Sequence, residues 1–331
     1  MAKIFFHNDH DGKCAAYWVV EHYTEIKGFD MSRVECIEAT YGFDPHLENI
    51  KPDEDVWIVD FSFESETFKK LLEITPNVVW IDHHKSSIEK FKDFNWIENT
   101  RAYANSVRCL TSEYAACVLT WAVCQSWEML AGDISNKVVA YIKEHQEEIP
   151  WATRYVGDWD TWTHAYIEST QFLSGSSLYD LSPVSKFWAE INCGRNENLY
   201  QPHLLSEVLR AGKIINQYKE NFNADYRKSF AYEVEFPIFT ASGEPAAFYQ
   251  CLVMNLGRCS SLAFGDAIKE YDICISTVYV KDHWQVSLYS DKRMNIDVSW
   301  IASQFVYNGV RGGGHPGAAG FSCEKLPWEN A

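Results

Sequence analysis

The apolar positions of this chain fall into two rhythms. Early on, short runs rich in β-branched and aromatic residues, Ile4–Phe6, Val34–Ala39, Val56–Val59 and Val78–Ile81, predict strands. Between them, Cys14–Tyr23 and Ser65–Leu72 carry helical spacing. This alternation predicts an α/β fold, a parallel sheet covered by helices. Two more helices are expected at Leu110–Leu130 and Asn136–His145. Asp180–Gly194 is irregular, with Ser, Pro and Gly, and reads as the end of a first domain. His203–Tyr226 places Leu205, Val208, Leu209, Ile215 and Tyr218 near helical spacing and reads as a connector. From Phe230 the pattern turns strand-rich, at Ala247–Met254, Ile273–Val280 and Gln285–Tyr289, with a helix at Val298–Phe305 before Gly312-Gly313-Gly314-His315. The expected organisation is a parallel-sheet domain over residues 1–195, a helical connector over 196–229 and a smaller mixed α/β domain over 230–331.

Composition narrows the class. At 331 residues there is room for two cores. No apolar run is long enough for a membrane span, and the first residues lack the pattern of a secretion signal. The 10 Cys include no C-x-x-C pair, so reduced thiols in a cytoplasmic protein are expected. Net charge is −17; residues 201–331 hold 12 Lys+Arg against 14 Asp+Glu, a net of −2, so the first 200 residues carry −15. An acidic half is a poor partner for long nucleic acid, which binds basic stripes. The plainer reading of that charge is a solvated surface.

Chemistry concentrates where strands end. In Phe6-His7-Asn8-Asp9-His10-Asp11-Gly12, alternate residues His7, Asp9 and Asp11 can converge on one spot where the first strand meets the first helix. Two carboxylates and an imidazole suit Mn²⁺ or a similar ion. The plainer reading is an Asp capping a helix. Asp60 follows the apolar run Trp57-Ile58-Val59 and admits the same two readings. Asp82-His83-His84 ends a third strand, and a carboxylate beside an imidazole commonly fixes the tautomer of a metal-bound His. In Val156-Gly157-Asp158-Trp159-Asp160, spacing does not decide which Asp points inward.

Taken together, these four segments resemble the motifs of the DHH family of phosphoesterases: His-x-Asp-x-Asp-Gly, an Asp after a strand, Asp-His-His and a later Asp. Gly312–Phe321 is similar to the glycine-rich signature of the DHH-associated substrate domain, a type of loop also found in alanyl-tRNA synthetases. The resemblance spans His7 to Phe321. It implies two Mn²⁺ ions, with His7 and Asp9 on one, Asp11, His83 and Asp158 on the other, and Asp60 bridging. It also implies that Asp82 orients His83 and that His84 faces the scissile phosphate.

The same resemblance points to substrate contacts in the last domain. Successive glycines, Gly313 and Gly314 among them, can offer backbone N–H groups to a phosphate, with His315 and Arg311 adding donors. Arg258 and Arg293 are further candidates. Relatives often carry Ser-x-Arg-Ser on the preceding strand; here Ser287-Leu288-Tyr289-Ser290 replaces that Arg with Tyr289, so either Arg293 or Arg311 takes its place, or the terminal phosphate is read differently, or Tyr289 stacks on a base. The expected substrates are short oligonucleotides or dinucleotides, with 3′-phosphoadenosine 5′-phosphate, cyclic mono- or dinucleotides and simple nucleotide binding as alternatives. No membrane partner is expected, and a homodimer is one candidate assembly.

Overall fold

The computed structural model describes residues 1–331 apart from 29, 41, 95–105, 127–131, 193–201, 240–244, 258 and 330–331. The first strands are β1 (Ala2–His7), β2 (Val34–Ala39), β3 (Asp55–Val59), β4 (Val78–Asp82), β5 (Val107–Leu110) and β6 (Gly132–Asp133). They form one sheet in the order β2-β1-β3-β4-β5-β6, with every pairing parallel. Because a parallel sheet is covered on both faces, its strands are apolar on both sides rather than alternating. Ile4, Phe6, Trp57, Val59 and Ile81 enter one core layer, whereas Phe5, Val56, Ile58, Val78 and Trp80 enter the other.

The first helices covering this sheet are α1 (His10–Glu21), α2 (Ser65–Ile74), the short α3 (Lys85–Lys90) and α4 (Ala116–Gln125). The first and last pack in the same layer, through Cys14, Ala15, Trp18, Cys117 and Trp121 among others. The helix expected from Leu110 begins only at Ala116. Val107–Leu110 is instead a strand, because its Val and Cys face the buried layer between β4 and β6. Four more helices follow, α5 (Ser135–Glu144), α6 (Trp151–Asp160), α7 (Glu168–Ser176) and α8 (Lys186–Asn192), the last inside a stretch expected to be irregular.

The chain divides into two compact units, Met1–Asn216 and Gln217–Ala331. The division falls inside the long helix α9 (Pro202–Phe230). In the second unit, β7 (Tyr232–Phe239), β8 (Pro245–Met254), β9 (Ile273–Val280) and β10 (His283–Tyr289) are joined, after α10 (Val298–Ala302) and the hairpin β11 (Val306–Tyr307) and β12 (Val310–Arg311), by β13 (Gly313–His315) and β14 (Ala318–Cys323). The sheet order is β13-β14-β10-β9-β8-β7, antiparallel except between β8 and β9. Val253, Ile275, Val286 and Phe321 pack on one face with α10, and Leu252, Phe264 and Tyr289 on the other. Among the described residues, no helix is long and apolar enough to cross a membrane, and every cysteine is a free thiol.

Candidate metal centre

Strand register builds the site. Phe6 pairs with Val59, and Val59 with Ile81. The next residues, His7, Asp60 and Asp82, therefore stand level across β1, β3 and β4, at the carboxyl edge where open α/β sheets bind ligands. Asp60 adopts a left-handed conformation, φ 54°, and its N–H still bonds Ile81 O at 2.9 Å. A non-glycine residue held there costs about 1–3 kcal/mol, which the surrounding sheet must offset.

The turn after β1 is just as constrained. Asp9 caps α1, accepting from Gly12 N at 2.9 Å. A Cβ on Gly12 would lie 2.1 Å from His7 O, so only glycine fits under the strand end. Asp11 is fully buried and reaches across to α4, where it accepts from Ala116 N and Cys117 N, each at 2.8 Å. It thus caps a helix that has no side-chain cap of its own. Both readings of these aspartates hold at once: they terminate helices and they gather charge.

Three groupings of ligand-type atoms result: His7, Asp9 and Asp60; Asp11, His83 and Asp160; and Asp60, His83 and His84. Asp60 belongs to the first and the third. Its Oδ2 lies 3.8 Å from His7 Nδ1, while its Oδ1 lies 3.3 Å from His83 Nε2. His83 Nε2 is also 3.5 Å from Asp11 Oδ2 and 3.0 Å from Asp160 Oδ2. Both Asp60 oxygens and His83 Nε2 are buried without a hydrogen bond among the described residues. A buried carboxylate left unpaired is costly. A divalent cation on each side of Asp60 would satisfy it, so the donor set fits metal ions.

Electrostatics reinforces the fit. Burial, then the charge of Asp160, pushes Asp11 up to about 6. Burial and the neighbouring Asp11 raise Asp60 as well. Burial works against a charged His83, but the carboxylates of Asp160, Asp60 and Asp11 outweigh it and lift the imidazole to about 11. At Asp9, burial is overcome by the His7 and Gly12 hydrogen bonds, which hold the carboxyl near 2. The His7–Asp9 contact, 2.7 Å, raises His7.

Two expectations change here. Asp158 does not join the cluster; Asp160 does. Asp158 accepts from Ala165 N at 2.7 Å, Tyr166 N at 3.3 Å and Ser169 Oγ at 2.5 Å, so its carboxylate is committed to the loop after α6. Asp82 orients His84 rather than His83. Its Oδ1 sits 2.7 Å from His84 Nδ1 and also accepts from the backbone N–H of His83 and His84. Ser62, not anticipated from the sequence, donates to Asp82 Oδ2 and accepts from Trp80 Nε1. The cue for it is its place two residues beyond Asp60. Asp82 is held below the usual carboxylate range because His84's hydrogen bond overcomes burial.

The candidates of the second unit are placed differently. Gly313–His315 is an edge strand paired with β14 rather than an open loop, so only its outward N–H groups face away from the sheet. Gly312 and Gly314 are there for packing: a Cβ would meet Ala302 O at 2.4 Å and Ala318 O at 2.6 Å, respectively. Gly313 has open space around it and His315 is exposed. Arg311 donates to Ser303 O at 3.0 Å, and Arg293 is paired with Asp291. Tyr289 is buried, packs on Phe264 and donates to Cys259 O at 2.7 Å, so it belongs to the core and is not free to stack on a base. Arg258 lies outside the described residues.

No family profile and no curated protein matches the sequence. Among solved structures, an uncharacterized protein from Helicobacter pylori is 14% identical with a TM-score of 0.39, the match covering 100% of this chain and 99% of that one. PggH from Vibrio cholerae, a pGpG-specific phosphodiesterase, is 10% identical with a TM-score of 0.47, covering 98% and 94%. RecJ from Thermus thermophilus, in complex with Mn²⁺, is 13% identical with a TM-score of 0.48, covering 97% of this chain but 49% of that one. Likeness at this level carries no functional weight, which rests on the side chains themselves.

Proposed function

We propose that this chain is a DHH-type, metal-dependent phosphodiesterase that hydrolyses short oligonucleotides or dinucleotides, using two divalent ions of the Mn²⁺ type. The carrying observation is Asp60, whose two buried oxygens make no hydrogen bond among the described residues and face two different ligand groups. His7 and Asp9 would hold one ion, Asp11, His83 and Asp160 the other, with Asp60 shared. Such ions, when bound, supply positive charge to phosphoryl oxygens and acidify a coordinated water.

The chain's own groups do the rest. Asp82 takes the Nδ1–H of His84, which fixes the tautomer and leaves Nε2 as the nitrogen free to meet substrate. Ser62 and two backbone N–H groups keep Asp82 ionised and still. In the overall reaction water adds to phosphorus, the P–O bond to the leaving alcohol breaks, and that alcohol departs protonated. The acidic first 200 residues, net −15, favour short substrates over long nucleic acid. His315 and Arg311, both exposed on the second unit, are the proposed contacts to the remaining phosphate.

A hydrolysis panel with Mn²⁺ tests this reading: dinucleotides, RNA of about 20 nucleotides, cyclic dinucleotides, 3′-phosphoadenosine 5′-phosphate and pyrophosphate. Dinucleotides are expected to be cleaved fastest at equal ends, and a chelator should abolish turnover. Processive, faster cleavage of the longer RNA would overturn the substrate assignment. Failure to cleave any phosphoester would overturn the activity.

A further inference from the structure

The loop that follows Asp160 is built in an unusual way. Trp162 and His164 both adopt left-handed backbone, φ 56° and 50°. Trp does not favour it, although His is among the non-glycine residues that enter it more readily, and two such residues within three positions need support. Asp158 supplies that support. Its backbone O accepts from Thr163 N at 3.1 Å and from His164 N at 3.4 Å, and its carboxylate holds Ala165 N, Tyr166 N and Ser169 Oγ. Trp162 N bonds Trp159 O at 3.0 Å, and the Thr161 and Thr163 hydroxyls meet at 2.9 Å.

This scaffold displays aromatic rings to solvent. Trp159 and Trp162 lie 6.3 Å apart at 22°, and His164 stands edge-on to both, at 5.1 and 5.4 Å. Trp162 is 65% exposed. An indole left 65% exposed gains little from folding beyond its contacts with Trp159 and His164. Asp160, the residue between these rings in sequence, sits 3.0 Å from His83 Nε2 in the metal cluster. The rings are thus carried on the segment that directly flanks a residue of the candidate metal centre.

We propose that Trp159, Trp162 and His164 form a base-stacking subsite that holds a nucleobase of the nucleotide whose phosphate is cleaved. A purine or pyrimidine ring fits the site's chemistry: the exposed indole of Trp162, beside the half-buried Trp159, offers a flat face that binds π-faces with little regard to sequence. This subsite rests on the phosphodiesterase reading above, and it accounts for Trp162 better than a generic docking patch because the loop is anchored at Asp158, two residues from the candidate ligand Asp160.

Two measurements on the full chain test it. The first needs no turnover: titrate chelator-treated protein with 2-aminopurine riboside 5′-monophosphate, whose fluorescence falls when its base stacks. Saturable quenching is expected, weakened about tenfold in Trp162→Ala and largely kept in Trp162→Phe. Equal binding by the wild type and Trp162→Ala, or quenching abolished equally by inorganic phosphate and by ribose 5-phosphate in both, would overturn the subsite. The second compares KM for a dinucleotide with KM for the same molecule lacking one base. Trp162→Ala should raise the first about tenfold and leave the second near the wild-type value. If the wild type cleaves nothing but still quenches the probe, the phosphodiesterase reading fails, and with it the subsite's place in a reaction, leaving base stacking at Trp162 alone. If it cleaves dinucleotides and Trp162→Ala changes neither KM, the subsite fails and the enzyme stands.

Discussion

Asp60 Oδ1 and His83 Nε2 lie 3.3 Å apart, buried, and neither atom makes a hydrogen bond among the described residues. Without a metal ion the His83 imidazolium holds the carboxylates of Asp60 and Asp160 together; with one, the same atoms are free to act as ligands. That relationship leads to the first expectation. Asp60→Asn removes a buried charge from a crowd of carboxylates, and asparagine tolerates the left-handed backbone that Asp60 adopts. Without metal ions the variant should melt higher than the wild type, by roughly 2–4 °C for each kcal/mol of repulsion relieved. With Mn²⁺ the order should reverse, and turnover should be lost. Thermal melts with chelator and with Mn²⁺ check both halves; an unchanged response to Mn²⁺ in the variant would remove Asp60 from the site.

Protonation gives a second expectation. Folded Asp11 keeps its proton to about pH 6, against an ordinary value of 3.8. Across that window the folded state binds more protons than the unfolded chain, so stability falls as pH rises. Burial opposes a charged His83, yet its carboxylate neighbours hold the proton to about 11, against 6.5, and this adds the same trend from neutral pH upward. Between about pH 4 and 6.5 His22, depressed by burial, works in the opposite direction, so protein kept in chelator should lose stability mainly from about pH 6.5 upward, where His83 sets the trend. Mn²⁺ should flatten that slope and release protons on binding, visible as a binding enthalpy that varies with the buffer's ionisation enthalpy. A binding enthalpy independent of buffer would contradict it.

The two aspartates at the end of α6 should separate cleanly. Asp160→Ala is expected to weaken Mn²⁺ binding with little loss of stability. Asp158→Asn is expected to do the opposite, because it disturbs hydrogen bonds that anchor the following loop, each worth about 1.5–3 kcal/mol when made to a charged group. Mn²⁺ titration and thermal melting of both variants decide the matter. Loss of metal binding in Asp158→Asn alone would restore the expectation drawn from the sequence.

That exchange shows where the sequence is legible and where it is not. His7, Asp60 and Asp82 could be read because each directly follows an apolar strand, and parallel register then levels them. Asp158 and Asp160 lie on a helix end, where orientation depends on partners at Ala165 and Ser169 that no spacing rule announces. Tyr289 misled for a related reason. The alternation of β10 says that it faces opposite to Leu288, but this sheet is covered on both faces, so the outward face is core as well. The glycine tract was visible as a signature, yet its pairing with β14 is a long-range fact.

Asp82→Asn should leave both ligand groups in place while freeing His84 to rotate. A reduction in kcat of about 10–100-fold is expected, with Mn²⁺ affinity near the wild-type value, as for other groups that orient a reacting imidazole. Steady-state kinetics beside a Mn²⁺ titration check it. Unchanged kcat would mean that His84 takes no part.

In the second unit, His315→Ala should raise KM by about tenfold or more, the loss of a charge-assisted contact, while leaving metal binding intact. If KM and kcat were both unchanged on every cleaved substrate, the Gly312–His315 tract would be structural only.

The central claim is that Asp60 stands between two divalent ions, and anomalous scattering from crystals grown with Mn²⁺ tests it most directly. Two peaks are expected, one against His7 and Asp9 and one against Asp11, His83 and Asp160, each within bonding distance of a different Asp60 oxygen. A crystal saturated with Mn²⁺ that shows no peak beside Asp60, with His83 still resting against its carboxylate, would contradict the account.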